Sequence, residues 1–286
     1  MTESPENWLL EAGYGEIIRS EAVGGGCIND ARRLHLADGS TLLLKTNRDA
    51  PADMFGAEAS GLAALSAAGA LRIPGVIHCA SNFIVLEDLG SGSKSPRFWA
   101  DLGTGLAALH RQTAERFGFT GNNYCGATPQ SNPPTADGYE FFAQQRILAL
   151  AHQCLDRGLL QQELMTQLDY IAEHLPQWIP EMPAVLIHGD LWYGNIHCCA
   201  NGEPALIDPA AYWGWAEAEL AMTRLFGGFS PEFYDSYLQQ GAVARDWEER
   251  IPLYNLYHLL NHLLLFGGSY LGAVAEIATR YAGRVR

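Results

Sequence analysis

The chain has 286 residues, 48% of them hydrophobic and only 17% charged. That balance excludes a disordered chain and leaves room for one large domain or two lobes around a shared cleft. A net charge of −14 and a pI near 5.0 argue against nucleic acid or an anionic membrane as the main partner; an acidic surface attracts cationic, amine-bearing molecules or simply aids solubility.

The segment from Met1 to Glu6 has neither the basic region nor the apolar stretch of a secretory signal. The six cysteines show no Cys-x-x-Cys spacing, so reduced thiols in the cytoplasm are expected. Strands are predicted from Ile17 to Val23 and from Arg32 to Leu36, flanking Gly24-Gly25-Gly26-Cys27-Ile28-Asn29. Three glycines there suit either a cradle of amide donors for phosphate or an ordinary hairpin turn. After the Asp38-Gly39 turn, a strand runs from Thr41 to Lys45. Period-2 alternation puts Lys45 on the face of Leu43, pointing inward unless it snorkels to solvent. A helix is expected over about 57–68. Its Glu58 shares a face with Leu62 and Leu65, so a buried Glu58 needs a cation, and Lys45 is the candidate. A short strand from Asn82 to Leu86 enters Glu87-Asp88-Leu89, a hinge whose backbone groups would meet an adenine ring. The polar connector Gly90 to Pro96 then opens a mostly helical part, with apolar stripes at Leu102, Leu106, Leu109 and at Leu164, Leu168, Ile171, Leu175. The lobes are therefore drawn at 1–89 and 90–286.

The densest chemistry lies at His188-Gly189-Asp190-Leu191-Trp192-Tyr193-Gly194-Asn195, followed by Ile207-Asp208-Pro209. The order His-x-Asp-Leu-x-x-x-Asn and then Asp is that of a kinase catalytic loop and its metal-binding aspartate. Phosphoryl transfer needs a carboxylate for the attacking hydroxyl and oxygen ligands for Mg²⁺. Asn201-Gly202 between the two stretches predicts a hairpin. With those two as the turn residues, Asn195 faces Asp208 at the open end, although Pro204 weakens the ladder. His197-Cys198-Cys199 has no second ligand pair and reads as packing in a buried strand rather than a metal site. From Leu253 to Ala278 the chain is apolar, but Asn255, His258, Asn261, His262 and Gly267-Gly268 interrupt it. A buried helix pair is expected, not a membrane span.

Further words of the sequence strengthen a family resemblance. They include Ala57-Glu58-Ala59, Leu86-Glu87-Asp88-Leu89, Gly105 to His110, Phe117-Gly118-Phe119, Asn123-Tyr124-Cys125-Gly126, Leu225 to Phe229 and Leu256 to His262. With the catalytic loop, they resemble the fructosamine kinases (ketosamine 3-kinases), relatives of aminoglycoside phosphotransferases and choline kinases. The resemblance implies an α+β, bilobal, protein-kinase-like fold with a small β-rich lobe and a larger helical one. It implies ATP and Mg²⁺ as cofactors, and ketosamine small molecules or glycated proteins as partners, phosphorylated at the third-carbon hydroxyl and so deglycated. Asp190 is then the base, Asn195 and Asp208 hold Mg²⁺, and Lys45 holds phosphate under Glu58. Trp192 is a platform for the sugar or a core residue, with Tyr193 and His258 as further acceptor contacts. Tyr193, Trp215-Ala216, Glu219, Arg224 and Leu264 depart from the family pattern; none is expected to touch the phosphoryl-transfer residues, while Tyr193 and Leu264 are expected to shape the acceptor pocket. Cys27 is either a small residue tolerated in a tight loop or a redox-sensitive thiol whose oxidation blocks ATP or links two chains, so a monomer and a disulfide-linked dimer both stay open. The rival readings are a kinase for another amine-bearing alcohol and a nucleotide-binding pseudokinase.

Overall fold

Leu34, Leu36, Leu42 and Leu44 recur at every second position of two neighbouring strands, and that period lays down one apolar face of a sheet. The computed structural model describes residues 4–24, 30–241 and 243–283. Gly25, Gly26, Cys27, Ile28 and Asn29 therefore lie outside the described residues, and of the glycine cluster Gly24 alone is inside. Helix α1 (Pro5–Glu11) is capped by Ser4, whose hydroxyl accepts from the Asn7 amide at 3.2 Å. Strands β1 (Ile17–Ala22), β2 (Asp30–Leu36), β3 (Thr41–Thr46), β4 (Val76–Cys79) and β5 (Phe83–Glu87) form an antiparallel sheet in the order β1-β2-β3-β5-β4. Helix α2 (Met54–Ala67) follows β3 and begins three residues earlier than the sequence suggests.

The two faces of the sheet bury different cores. Leu9 of α1 packs with Leu34, Leu36, Leu42, Leu44, Phe83 and Val85. On the other face, Ile84 and Leu86 join Phe55, Leu62 and Leu65 of α2 in a core that continues through the helices beyond. The strand-rich and helix-rich parts thus share one apolar interior.

Past the connector come α3 (Phe98–Leu109), the short strands β6 (Thr113–Ala114), β7 (Asn123–Cys125) and β8 (Thr128–Gln130), and a long helical stretch. That stretch is α4 (Gly138–Phe141), a π-helical segment (Phe142–Leu148) and α5 (Ala149–Asp156). Then follow α6 (Gln162–His174), β9 (Ala184–Ile187), β10 (Ile196–Cys198), β11 (Pro204–Leu206), β12 (Tyr212–Gly214), α7 (Ala216–Leu225), α8 (Pro231–Leu238), α9 (Ile251–Phe266) and α10 (Leu271–Ala282). The stripes of α3 and α6 are buried as expected, except that Leu164 is only half-buried. The apolar C-terminal run is the expected helix pair, broken at Gly267 with φ +85°. Its polar residues are used internally: the Asn255 amide donates to Ala221 O at 3.0 Å and that of Asn261 to Cys125 O at 3.2 Å. Among the described residues no helix is long and apolar enough to cross a membrane.

One register differs from expectation. The β10–β11 hairpin turns on three residues, Ala200-Asn201-Gly202, with Gly202 left-handed at φ +86°. A third loop residue moves the pairing by one, so Asn195 opposes Ile207, whose amide donates to Asn195 O at 3.1 Å, and Asp208 falls one position further. His197 and Cys198 on this strand are half-buried and Cys199 buried.

Candidate active site

Lys45 stands on β3 between Ala31 of β2 and Ile84 of β5, so the inner face of the sheet delivers its side chain to α2. It is only 5% exposed. Its ammonium pairs with Glu58 at 2.5 Å and also with Asp208. Burial alone would drive the Lys45 pKa down, but the two carboxylates outweigh it and hold it above the ordinary value. Glu58 is raised by its own burial, with Asp208 adding to the push and Lys45 opposing it. The expected lysine–glutamate pair is thus formed, and Asp208 is the third member.

Asp190 lies just beyond β9, and the backbone ahead of it is tightly specified. Gly189 has φ +81°, and a Cβ there would come within 2.2 Å of Ala210 O, so only glycine fits. The buried Glu219 carboxylate on α7 accepts from the amides of His188 at 2.5 Å and Gly189 at 3.0 Å. Glu219, one of the departures from the family pattern, touches none of the phosphoryl-transfer residues directly but anchors the backbone ahead of Asp190. His188 pairs through Nε2 with Ile207 O at 2.8 Å, while its Nδ1 lies 3.3 Å from the Asp190 amide. One ring nitrogen donates and the other accepts, which is the neutral tautomer; burial also lowers this imidazole's pKa. Asp190 is pushed up to about 7, first by burial and then by the charges of Asp208 and Glu219, against the hydrogen bond from Asn195. Asn195 donates to the Asp190 backbone carbonyl at 2.7 Å and to its carboxylate at 3.1 Å. That fixes the amide with its own oxygen left as an acceptor.

Asp208 is the one described non-glycine residue at positive φ, +56°. Such a conformation costs energy and clusters at functional sites. The chain just after it is held from below, where Asn123 donates to Ala211 O at 2.8 Å and Gln130 to Ala210 O at 3.2 Å. The same buried network includes Arg146, on the π-helical turn, which donates to Asn132 at 2.6 Å and lies 4.0 Å from the Tyr212 ring centre.

The acceptor candidates separate. Trp192 is half-buried and lies over Gly194, where a Cβ would meet its ring at 2.3 Å. Tyr193 is 53% exposed and accepts from Lys94 at 2.9 Å. His258 is buried, with its Nδ1 unpaired, and burial with the nearby His262 and Arg146 lowers its pKa to about 3. The His258 ring, the Cys125 thiol and the Asp190 carboxylate offer atoms within 4.8 Å of one another. Burial raises Cys125, so this thiol stays protonated beside the carboxylate. Leu264 is buried in the main core, Trp215 packs there among aromatic rings, and Arg224 pairs with Glu248 at 2.7 Å.

At the hinge, side chains are committed to structure. Asp88 accepts from Arg33 at 2.6 and 3.0 Å, and Glu87 pairs with Arg72 and accepts from the Gly75 amide at 3.1 Å. The Leu89 carbonyl is already used by the Ala200 amide at 3.0 Å. What this segment can offer a nucleotide is therefore the rest of its backbone.

A buried lysine held by two acids, together with a high-pKa carboxyl on a loop fixed by its own amides, is an arrangement for phosphoryl transfer. The comparisons with known proteins decide the lineage. The model of the family described as fructosamine kinase matches residues 3–282. The chain belongs to the fructosamine kinase family. It is thereby an ATP-dependent phosphotransferase of protein-kinase-like fold. It is 41% identical over 263 residues to a probable ketoamine kinase of Synechocystis, covering 89% of this chain and 87% of that protein. It is 35% identical over 295 residues to a chloroplastic protein-ribulosamine 3-kinase of Arabidopsis thaliana, covering 98% and 88%. A crystal structure from Thermobifida fusca, provisionally described as a fructosamine-3-kinase, superposes with a TM-score of 0.88 at 34% identity, covering 99% of each chain. The phosphotransferase APH(2″)-IIa, in complex with gentamicin, is only 14% identical, yet its TM-score of 0.66 over 99% of each chain shows the shared fold.

Proposed function

We propose that this fructosamine kinase family member moves the γ-phosphate of ATP to the third-carbon hydroxyl of a ketosamine, with Asp190 as the group that takes up the hydroxyl proton. The observation that carries the assignment is the Asp190 carboxyl itself: buried, raised to about 7, and locked by Asn195 on a loop whose amides Glu219 holds. A base of that pKa is matched to proton transfer near neutral pH. Lys45, kept charged and aimed by Glu58, suits the α- and β-phosphates of the nucleotide, and the backbone of Glu87, Asp88 and Leu89 with the glycine cluster at 24–29 completes the nucleotide side. The ketosamine acceptor rests on the named relatives, a ketoamine kinase and a ribulosamine 3-kinase. On this reading the lobes divide at 89/90, the cleft between them holds both substrates, and the protein works in the cytoplasm on free or protein-borne adducts.

The residues offered for Mg²⁺ fit it. The Asn195 amide oxygen and the partly exposed Asp208 carboxylate are hard oxygen donors, whereas the Cys125–Asp190–His258 cluster, with a protonated thiol and an imidazole, does not suit Mg²⁺. When bound, Mg²⁺ would neutralise phosphate charge at Asn195 and Asp208.

ADP release measured with a panel of ketosamines, aminoglycosides and choline tests the proposal. Turnover confined to ketosamines, lost in Asp190→Asn while nucleotide binding persists, is the expected result. Turnover of the other amines alone would reassign the acceptor, and nucleotide binding without turnover of any acceptor would make the protein a binding module.

A further inference from the structure

The connector that follows the hinge carries a feature the phosphoryl-transfer chemistry does not use. Lys94 is exposed, yet its ammonium is enclosed by rings: it lies 4.3 Å from the centre of Trp99, 4.7 Å from that of Tyr193 and 4.9 Å from that of Phe98. Trp99 and Phe98 are inside the distance at which an aromatic ring attracts a cation, and Tyr193 meets the ammonium at the hydroxyl end of its ring. The Tyr193 hydroxyl accepts from the same ammonium at 2.9 Å, and Trp99 and Tyr193 lean on each other with centroids 6.0 Å apart. This is an aromatic cage for an ammonium ion, filled by a side chain of the protein's own.

Its place is as telling as its chemistry. Tyr193 opens a short 3₁₀ turn (Tyr193–Asn195) that ends on Asn195, the residue bonded to Asp190. Three residues from Asp190, its Cα lies at most about 10 Å away. The rings therefore border the loop that carries Asp190. Tyr193 is 53% exposed, so its ring is open to a ligand at this spot.

We propose that Trp99, Tyr193 and Phe98 form the subsite for the ammonium group of the acceptor, and that Lys94 occupies this cage as an internal competitor until the acceptor displaces it. The inference rests on the ketosamine reading for the identity of the acceptor, but not for the chemistry of the cage. It gives Tyr193 a different task from choosing the sugar: it reads the charged amine carrier. It also ties the connector to acceptor affinity, because a charge on this loop sets how hard the cage is to enter.

The test uses the whole protein and a binding probe that needs no turnover. Quenching of intrinsic tryptophan fluorescence is titrated with an n-butyltrimethylammonium salt, with sodium chloride at equal ionic strength as the control. Binding that tightens about fivefold in Lys94→Met and weakens about fivefold in Tyr193→Leu is expected, the order that a contact of this kind supplies. Equal binding to wild type and Lys94→Met overturns the proposal, even if ketosamines are phosphorylated normally. Conversely, the expected titration with no turnover of ketosamines would leave the cage standing and remove the acceptor assignment. In kinetics, the ratio of KM for a cationic ketosamine to that for its N-acetylated, uncharged counterpart should fall in Lys94→Met. A ratio that rises, or does not move, counts against the cage.

Discussion

Replacing Asp190 by asparagine should abolish turnover and, above neutral pH, make the protein more stable. The buried carboxyl has its pKa pushed up to about 7 in the fold, against about 3.9 for an unperturbed aspartate. A folded pKa above the unfolded one means that the native state holds the proton more tightly. That stabilisation is complete below about pH 4 and is lost as pH rises through about 7. About three pH units at roughly 1.4 kcal/mol each put the loss near 4 kcal/mol, and relaxation around the charge brings the working figure to about 2–4 kcal/mol. Asparagine keeps the shape without the charge. It can still offer an oxygen to Asn195, and its N–H groups face a region where His258 Nδ1 lacks a partner. In nucleotide-free protein with EDTA, Tm is followed for both proteins at matched ionic strength from about pH 4.5 to 8.5. The variant's advantage should grow from near zero to about 3–7 °C across that range. An advantage that does not change with pH, or a variant less stable at pH 8, would refute desolvation as the source of the raised pKa.

Glu219→Gln leaves one of two buried amides without an acceptor, so it should cost about 2 kcal/mol in urea denaturation. The same variant should lower kcat about tenfold or more with little change in KM for ATP; an unaltered kcat would show that the loop holds itself. Gly189→Ala forces a Cβ against Ala210 O from a left-handed backbone, and a loss of about 3 kcal/mol or more is expected in the same assay. Glu58→Gln removes one of the two charges that hold Lys45, so KM for ATP should rise about tenfold and kcat should fall; steady-state kinetics that match wild type would dismiss the pair as structural.

The sheet and the Lys45–Glu58 pair were legible because both depend on short periods: alternation along β3 and the four-residue step on α2. The catalytic loop was legible for another reason, since its chemistry fixes residue types at fixed spacing. The hairpin register was missed by one residue because Asn-Gly serves two turn geometries, and letters do not say whether Ala200 belongs to the loop. Glu219 was hidden by its distance along the chain from the amides it binds, and by an α7 that reads as an ordinary amphipathic helix. Its fit to two backbone amides is visible only in three dimensions. The cage around Lys94 escaped for the opposite reason, because a Gly-Ser-Lys-Ser-Pro run looks like solvent-facing linker. His258 was placed near the acceptor from its family word alone, and its burial beside Cys125 and Asp190 is the structure's contribution.

The hairpin that follows Asn195 is also a strap. Its Ala200 amide reaches Leu89 O at 3.0 Å, its His197 ring meets Gly90 O at 2.5 Å, its Cys198 carbonyl takes the Gly92 amide at 3.3 Å, and its Gly202 carbonyl takes that of Ser95 at 3.1 Å. The connector from residue 89 to 95 is in effect riveted along one edge to the segment that joins Asn195 to Asp208. If the strand-rich part rocks over the helices during turnover, this length of chain travels with the helices. The turn after α2 is tied to the same hairpin, since the Leu206 amide donates to Arg72 O at 3.0 Å, and the fork of Arg33 on Asp88 fastens β2 to the start of the connector.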